Sequence, residues 1–200
     1  MGIGDAGDRS GELHKAKEWR LIREVPGFRN FKENGRALRL DDEAESKLLA
    51  MAEQPLKDII QLMRDTGMRN CRELYRMRIE HLNWGKRTIF TPESKTTKGR
   101  REIVMSDRVA EILRIRSEDR KEGWVFPSRR PGKHITIGLV NKQWVRARKL
   151  AGLPEHLVLY GARHDYGPYL LQQTGNLAVV MQSMGHADVK TGMAYQHPEI

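Results

Sequence analysis

From about residue 41 onward, apolar side chains recur at helical spacing in blocks divided by glycine, proline and acidic residues. Asp41 or Asp42 can cap a first helix running toward Ala52, with acids in its first turn. Pro55 opens the next block, where Leu56, Ile59, Ile60 and Met63 share a face and Gly67 supplies a left-handed stop. The period then shortens. Two β-prone runs, at 88–91 and 102–105, flank a basic loop rich in Thr and Gly and predict an antiparallel hairpin. A helix from about Asp107 directs Val109, Ile112 and Leu113 inward, and 124–126 reads as a brief strand. A helix over about 136–151 aligns Val140, Trp144, Ala147 and Ala151 in one stripe. Two more follow, at about 161–173 and 177–184. The second carries Leu177, Val180, Met181 and Met184 on one face, between an Asn176 cap and a Gly185 stop. The predicted class is α+β and mainly α, a helical domain with a small antiparallel sheet or hairpin at one edge.

The first 36 residues differ. A Gly- and Asp-rich tail leads to a short helical stretch around 13–22 and a Pro26-Gly27 turn, with too few apolar side chains for a core. We read 1–36 as an N-terminal extension or linker and 37–200 as the folded domain, long enough to bury a core of its own.

Composition narrows the class. With 38% hydrophobic and 31% charged residues the chain suits a globular protein, and no run approaches the roughly 18 apolar residues of a membrane span. No apolar secretory core follows the N-terminus, and a single cysteine, Cys71, leaves no internal disulfide framework. Both features point to a cytoplasmic setting. Arg69 and Arg72 beside Cys71 can lower its pKa, although no motif surrounds it and a bystander thiol is the plainer expectation. His14, His81, His134, His156, His164 and His197 show no metal-ligand spacing. Trp84, Trp124 and Trp144 are expected to pack in the core or against neighbouring helices.

Charge changes the picture most. The net charge is +10 and the pI about 9.9, which favours a polyanionic partner, DNA or RNA. Lys142, Arg146, Arg148 and Lys149 stand together without an acid, and 86–101 holds six basic residues against Glu93. Within and beyond these clusters lie Arg69 in TGMR, Lys95 in ESKTTKGRR, Arg163 in LYGARHD, and His186 nine residues before Tyr195 in MGHADVKTGMAYQH. Two arginines, a lysine, a histidine and a late tyrosine suffice to attack a phosphodiester without a metal.

TGMR with a following acid, SKT in the hairpin, RHD preceded by an aromatic, MGH, and T-x-x-x-Y-Q-H occur here in one order. On these motifs the chain, over roughly 37–200, resembles the catalytic domain of the tyrosine recombinase (phage integrase) family. The resemblance implies site-specific DNA strand cleavage and rejoining through a 3′-phosphotyrosyl intermediate on Tyr195. Arg69 and Arg163 are then the phosphate clamp, Lys95 the acid for the departing 5′-oxygen, with Lys98 its rival, and His186 a phosphate or phenol partner. Glu73 and His164 are supporting candidates. Lys98, Arg100, Lys142, Arg146 and Arg148 are candidates for DNA contact. No cofactor or metal is implied. The implied partners are double-stranded DNA and further protomers in a tetrameric synapse, in a nucleoid-associated protein of bacterial or phage origin. Two alternatives stay open: a non-catalytic DNA-binding remnant, and a type IB topoisomerase-like nicking and rejoining enzyme.

Four departures from the family pattern stand out. Tyr160, a catalytic candidate, occupies the place of a histidine three residues before the second arginine; it can still donate a hydrogen bond to phosphate, but with an ordinary pKa near 10 it is a poor base. Arg72 occupies the place of an acid, with Glu73 one step later, so either the turn is one residue longer or the acid is displaced. Pro168 falls inside the helix expected to begin at the Arg163 turn, where a proline costs about 3 kcal/mol and kinks the backbone. Finally, 1–36 is too short for the helical core-binding domain that the resemblance implies, and few residues follow Tyr195; the expectation is a fragment or shortened copy with weak DNA affinity.

Overall fold

Asp41 accepts a hydrogen bond from the Ala44 amide at 2.8 Å and starts α1 (Asp42–Met51). The computed structural model describes residues 15, 17–21, 23–24, 40–92, 100–118 and 120–185. Lys95, Lys98, His186 and Tyr195 lie outside the described residues. The chain divides into two compact units, Met1–Arg36 and Ala37–Ile200. In the first, the Trp19 amide donates to the Lys15 carbonyl at 2.9 Å, closing a helical turn.

In the second unit, α2 (Leu56–Thr66) buries Leu56, Ile59, Ile60, Leu62 and Met63, and Gly67 ends it at φ +60°. Gly67 has a second constraint, because a Cβ there would lie 2.4 Å from the Tyr166 ring. A π-helical turn follows at Asn70–Leu74. In it the Leu74 and Tyr75 amides reach five residues back, to the carbonyls of Arg69 and Asn70 at 3.0 and 2.8 Å.

The sheet has three antiparallel strands, β1 (Leu82–Asn83), β2 (Thr88–Thr91) and β3 (Arg101–Val104), in that order. Its register pairs Leu82 with Ile89, Ile89 with Ile103 and Thr91 with Arg101. The expected hairpin is therefore part of a larger sheet, and its second strand begins at Arg101 rather than Glu102. β1 escaped the sequence pattern because two residues cannot show an alternation. The expected strand at 124–126 is instead flanked by isolated bridges, Arg78 with Trp124 and Pro127 with His134, although Val125 and Phe126 are buried.

Four helices complete the unit: α3 (Asp107–Ser117), α4 (Ile137–Leu150), α5 (Gly161–Thr174) and α6 (Leu177–Met184). Ser106, Thr136 and Asn176 cap the first, second and fourth through their side chains. α5 runs through Pro168 without a break, and the proline has no N–H to offer the His164 carbonyl. The main core gathers α2, the sheet, α3 and α4 around Ile59, Ile60, Ile89, Val109, Leu113, Phe126 and Val140, each at most 1% exposed. Each such side chain contributes about 1.5–3 kcal/mol on burial. A smaller cluster, Tyr166 with Val180 and Met184, joins α5 to α6. Of the three tryptophans expected to pack, Trp144 is buried and donates to the Leu157 carbonyl at 3.3 Å. Trp124 is half-buried beneath the Arg78 guanidinium. Trp84 is the exception at 41% exposed, because it lies in the turn between β1 and β2 and not on a core-facing element.

Candidate active site

Arg69 emerges two residues after the Gly67 stop, on backbone fixed by the π-turn. Its amide donates to Glu73 Oε2 and its Nη1 to Glu73 Oε1, both at 2.8 Å. The displaced acid lies in this π-turn, four residues after Arg69, and its carboxylate folds back onto that residue. Arg69 Nη2 donates to the Gly185 carbonyl at 3.2 Å, and its side chain keeps 31% exposure.

Arg163 lies in the first turn of α5 and is 2% exposed. Its Nη1 donates to the Gly67 carbonyl and its Nη2 to the Met184 carbonyl, the latter at 2.7 Å. Burial pulls its pKa down; Tyr160 and Glu73 oppose this, while Arg69 and Arg101 reinforce it. A guanidinium nevertheless stays charged, so this is a cation held in a dry place by oriented carbonyls.

A third arginine joins them that the sequence reasoning passed over. Arg101 opens β3 with its side chain 4% exposed, and pairs with both Glu73 oxygens at 3.0 Å. Its Nε donates to the Ser183 carbonyl at 2.6 Å. Strand alternation carried the signal: residue 101 shares the core face with Ile103, and a cation on a core face requires a partner. Three successive carbonyls at the end of α6, those of Ser183, Met184 and Gly185, thus accept from Arg101, Arg163 and Arg69. The negative end of the helix dipole lies there, and its open carbonyls need donors. The Glu73 carboxyl is pushed up by burial, but the bonds and charge of Arg101 and Arg69 outweigh this and hold it below its usual range.

Around this cluster the other candidates divide. Tyr160 is 38% exposed directly before α5, its ring edge-on to His164 at 5.3 Å. Burial, and then Arg163, lower the His164 pKa, which leaves a neutral imidazole at pH 7. Asp165 accepts the Leu40 amide at 2.7 Å and so ties the entry to α1 onto α5. Arg100 and Lys142 are exposed. Arg146 is exposed beside Glu53 at 3.3 Å, whereas Arg148 is half-buried and donates to the carbonyls of Glu155 and Leu157. The Cys71 thiol is pushed up by burial, with Arg76 opposing, which suits a bystander thiol. Among the described residues no group of three His, Cys, Asp or Glu side chains could hold a metal, and no helix is long and apolar enough to cross a membrane.

Chemically, the arrangement concentrates three guanidiniums against one carboxylate at the helix end that immediately precedes His186. The cluster is positive on balance, and of its three guanidiniums Arg69 keeps the most exposure, 31% of its side chain against 4% for that of Arg101.

Comparison with known proteins bears on family and fold. The tyrosine recombinase XerC of Pseudomonas aeruginosa is 29% identical over 167 residues, covering 81% of this chain and 53% of that protein. XerC of Proteus mirabilis is 32% identical over 73 residues, 36% of this chain and 24% of that one. The chain thus spans from about a quarter to about half the length of these curated relatives. The fold is similar to that of the Tn1549 transposon integrase in complex with a circular intermediate DNA, with a TM-score of 0.71 at 19% identity, over 93% of this chain and 71% of that one. It is also similar to the XerH site-specific recombinase bound to its difH substrate, with a TM-score of 0.62 at 23% identity, over 80% and 50%. Residues 38–200 match the phage integrase family, and the chain belongs to it.

Proposed function

We propose that this protein cuts and rejoins DNA at specific sites, with 37–200 as its catalytic unit and double-stranded DNA as its substrate. One observation carries the reading: Arg69 and Arg163, 94 positions apart in the chain, bond to the adjacent carbonyls of Gly185 and Met184, one and two residues before His186. Family membership supports the same chemistry.

In the proposed reaction the Tyr195 oxygen attacks the scissile phosphorus. A bond forms between tyrosine and phosphorus, and the bond from phosphorus to the 5′-oxygen breaks. Lys95 supplies the proton that the 5′-oxygen takes, and His186 bonds the phosphate or receives the phenol proton. Arg69 and Arg163 stabilise the charge that builds on the nonbridging oxygens. Attack by a 5′-hydroxyl of a second strand reverses these steps and reseals the backbone. Exchange between two duplexes calls for several protomers, and a tetrameric synapse in the nucleoid completes the proposal.

The test is a pool of nicked duplexes with randomised sequence, incubated with the protein and resolved by denaturing electrophoresis. A covalent protein–DNA band is expected that disappears in Tyr195→Phe. Duplex binding without any such band overturns the reading in favour of a DNA-binding remnant. Relaxation of supercoils without exchange between sites points to a topoisomerase-like enzyme instead.

A further inference from the structure

Arg101 is charged, buried and outside the set of residues that cleavage itself requires. Its guanidinium grips Glu73 with two parallel bonds of 3.0 Å while Nε reaches the Ser183 carbonyl at 2.6 Å. Gly185 packs against the same group so closely that a Cβ would lie 2.8 Å from Nη1. The Arg101 carbonyl accepts from Thr91 Oγ1 at 3.1 Å, across the strand pair β2–β3 that flanks residues 93–99 in the chain. One residue therefore touches the acid that holds Arg69, the end of α6, and the neighbouring strand β2. A buried guanidinium carries a heavy desolvation cost that an aliphatic side chain avoids. What it adds is a rigid fork that fixes two distant groups at once.

We propose that Arg101 is a positioning residue for strand cleavage, clamping Glu73 to the end of α6 so that Arg69 stays fixed on the Gly185 carbonyl. The inference rests on the cleavage reading above. Each Glu73 oxygen is shared, accepting one bond from Arg69 and one from Arg101. The charged groups facing Glu73 are Arg69 on its own turn, Arg101 on β3 and Arg163 on α5, with Arg72, Arg76 and His81 lining the small cavity beside it.

The experiment compares the full chain with Arg101→Met and Arg101→Lys by two measurements. In amide hydrogen exchange, the Arg69 amide is expected to exchange at least about tenfold faster in both variants, while α2 core amides stay within about twofold. In single-turnover covalent-complex assays, the rate is expected to fall about 10- to 100-fold with DNA affinity within about twofold. The acid limb of the rate should also move to higher pH, because Glu73 without its clamp takes up a proton more readily. Loss of folded protein lowers the amplitude and leaves the limb in place. Arg101→Lys restores charge but not the fork, so its rate falls between the other two; it also decides the matter if Arg101→Met does not fold. Unchanged Arg69 exchange, or a parental rate and acid limb in both variants, overturns the proposal. If the parent forms no covalent complex, the cleavage reading fails, and the exchange measurement still decides whether Arg101 holds Arg69.

Discussion

Gly185 adopts φ +64°, and a Cβ on it would meet Arg101 Nη1 at 2.8 Å. Gly175 has nearly the same φ, +61°, with nothing within 4 Å of the corresponding position. The pair separates backbone strain from crowding. We expect Gly175→Ala to cost about 1 kcal/mol and Gly185→Ala about 2–3 kcal/mol, as read by urea denaturation. Equal losses would show that the arginine contact carries no weight. Glu73 offers a second prediction, in pH. Its carboxyl is held below the ordinary 4.5 in the folded protein, so its contribution to stability is complete above about 4.5 and is lost as pH falls through the folded value. Glu73→Gln should therefore destabilise the protein near neutral pH and flatten the loss of stability seen on acidification. A parallel pair of stability-versus-pH curves would contradict this. At this scale only partners close in the chain are legible in the sequence. Arg69 and Glu73 are four apart and could be paired by inspection, whereas Arg101, 28 residues from Glu73, could not.

Among the elements, the helices were the most legible, because caps and stops are local chemistry. Asp41, Asn176, Gly67 and Gly185 each end or begin a helix where composition alone places them. Sheet pairing depends on distant neighbours, so the two-residue β1 shows no pattern of its own, and the strand expected at 124–126 forms only an isolated bridge at Trp124. α5 is the element whose sequence opposes its own backbone. Pro168 sits inside it and leaves the His164 carbonyl without its helical donor. Pro168→Ala is expected to stabilise the protein by about 1–3 kcal/mol in the same denaturation assay. A loss of stability would mean that the ring is needed for packing. Asp165 on the same helix accepts the Leu40 amide across 125 residues. Asp165→Ala should cost about 1–3 kcal/mol by leaving that partly buried donor unpaired, detectable as faster exchange at Leu40.

For the molecule as a whole, a net charge of +10 bears on the proposed DNA partner more than any single contact. Affinity should fall steeply with salt, and Lys142→Ala should weaken binding uniformly while lowering the salt slope by about 1. Arg148→Ala should change that slope less, since its guanidinium is engaged by the Glu155 and Leu157 carbonyls. Fluorescence anisotropy across a salt series checks both. Identical slopes would place Arg148 on the DNA in spite of its present partners.

The linear chain by itself determined the helical blocks, their caps, the basic character and the order of the motifs that betray the family. All of these follow from neighbours within a few residues or from simple counting. The folded structure alone decided that 70–74 winds as a π-turn, that Arg101 joins Arg69 on Glu73, and that three arginines from separate elements meet on consecutive carbonyls at the end of α6. The physical reason is that burying a charge obliges it to find a partner, and which partner lies within reach depends on how distant segments pack.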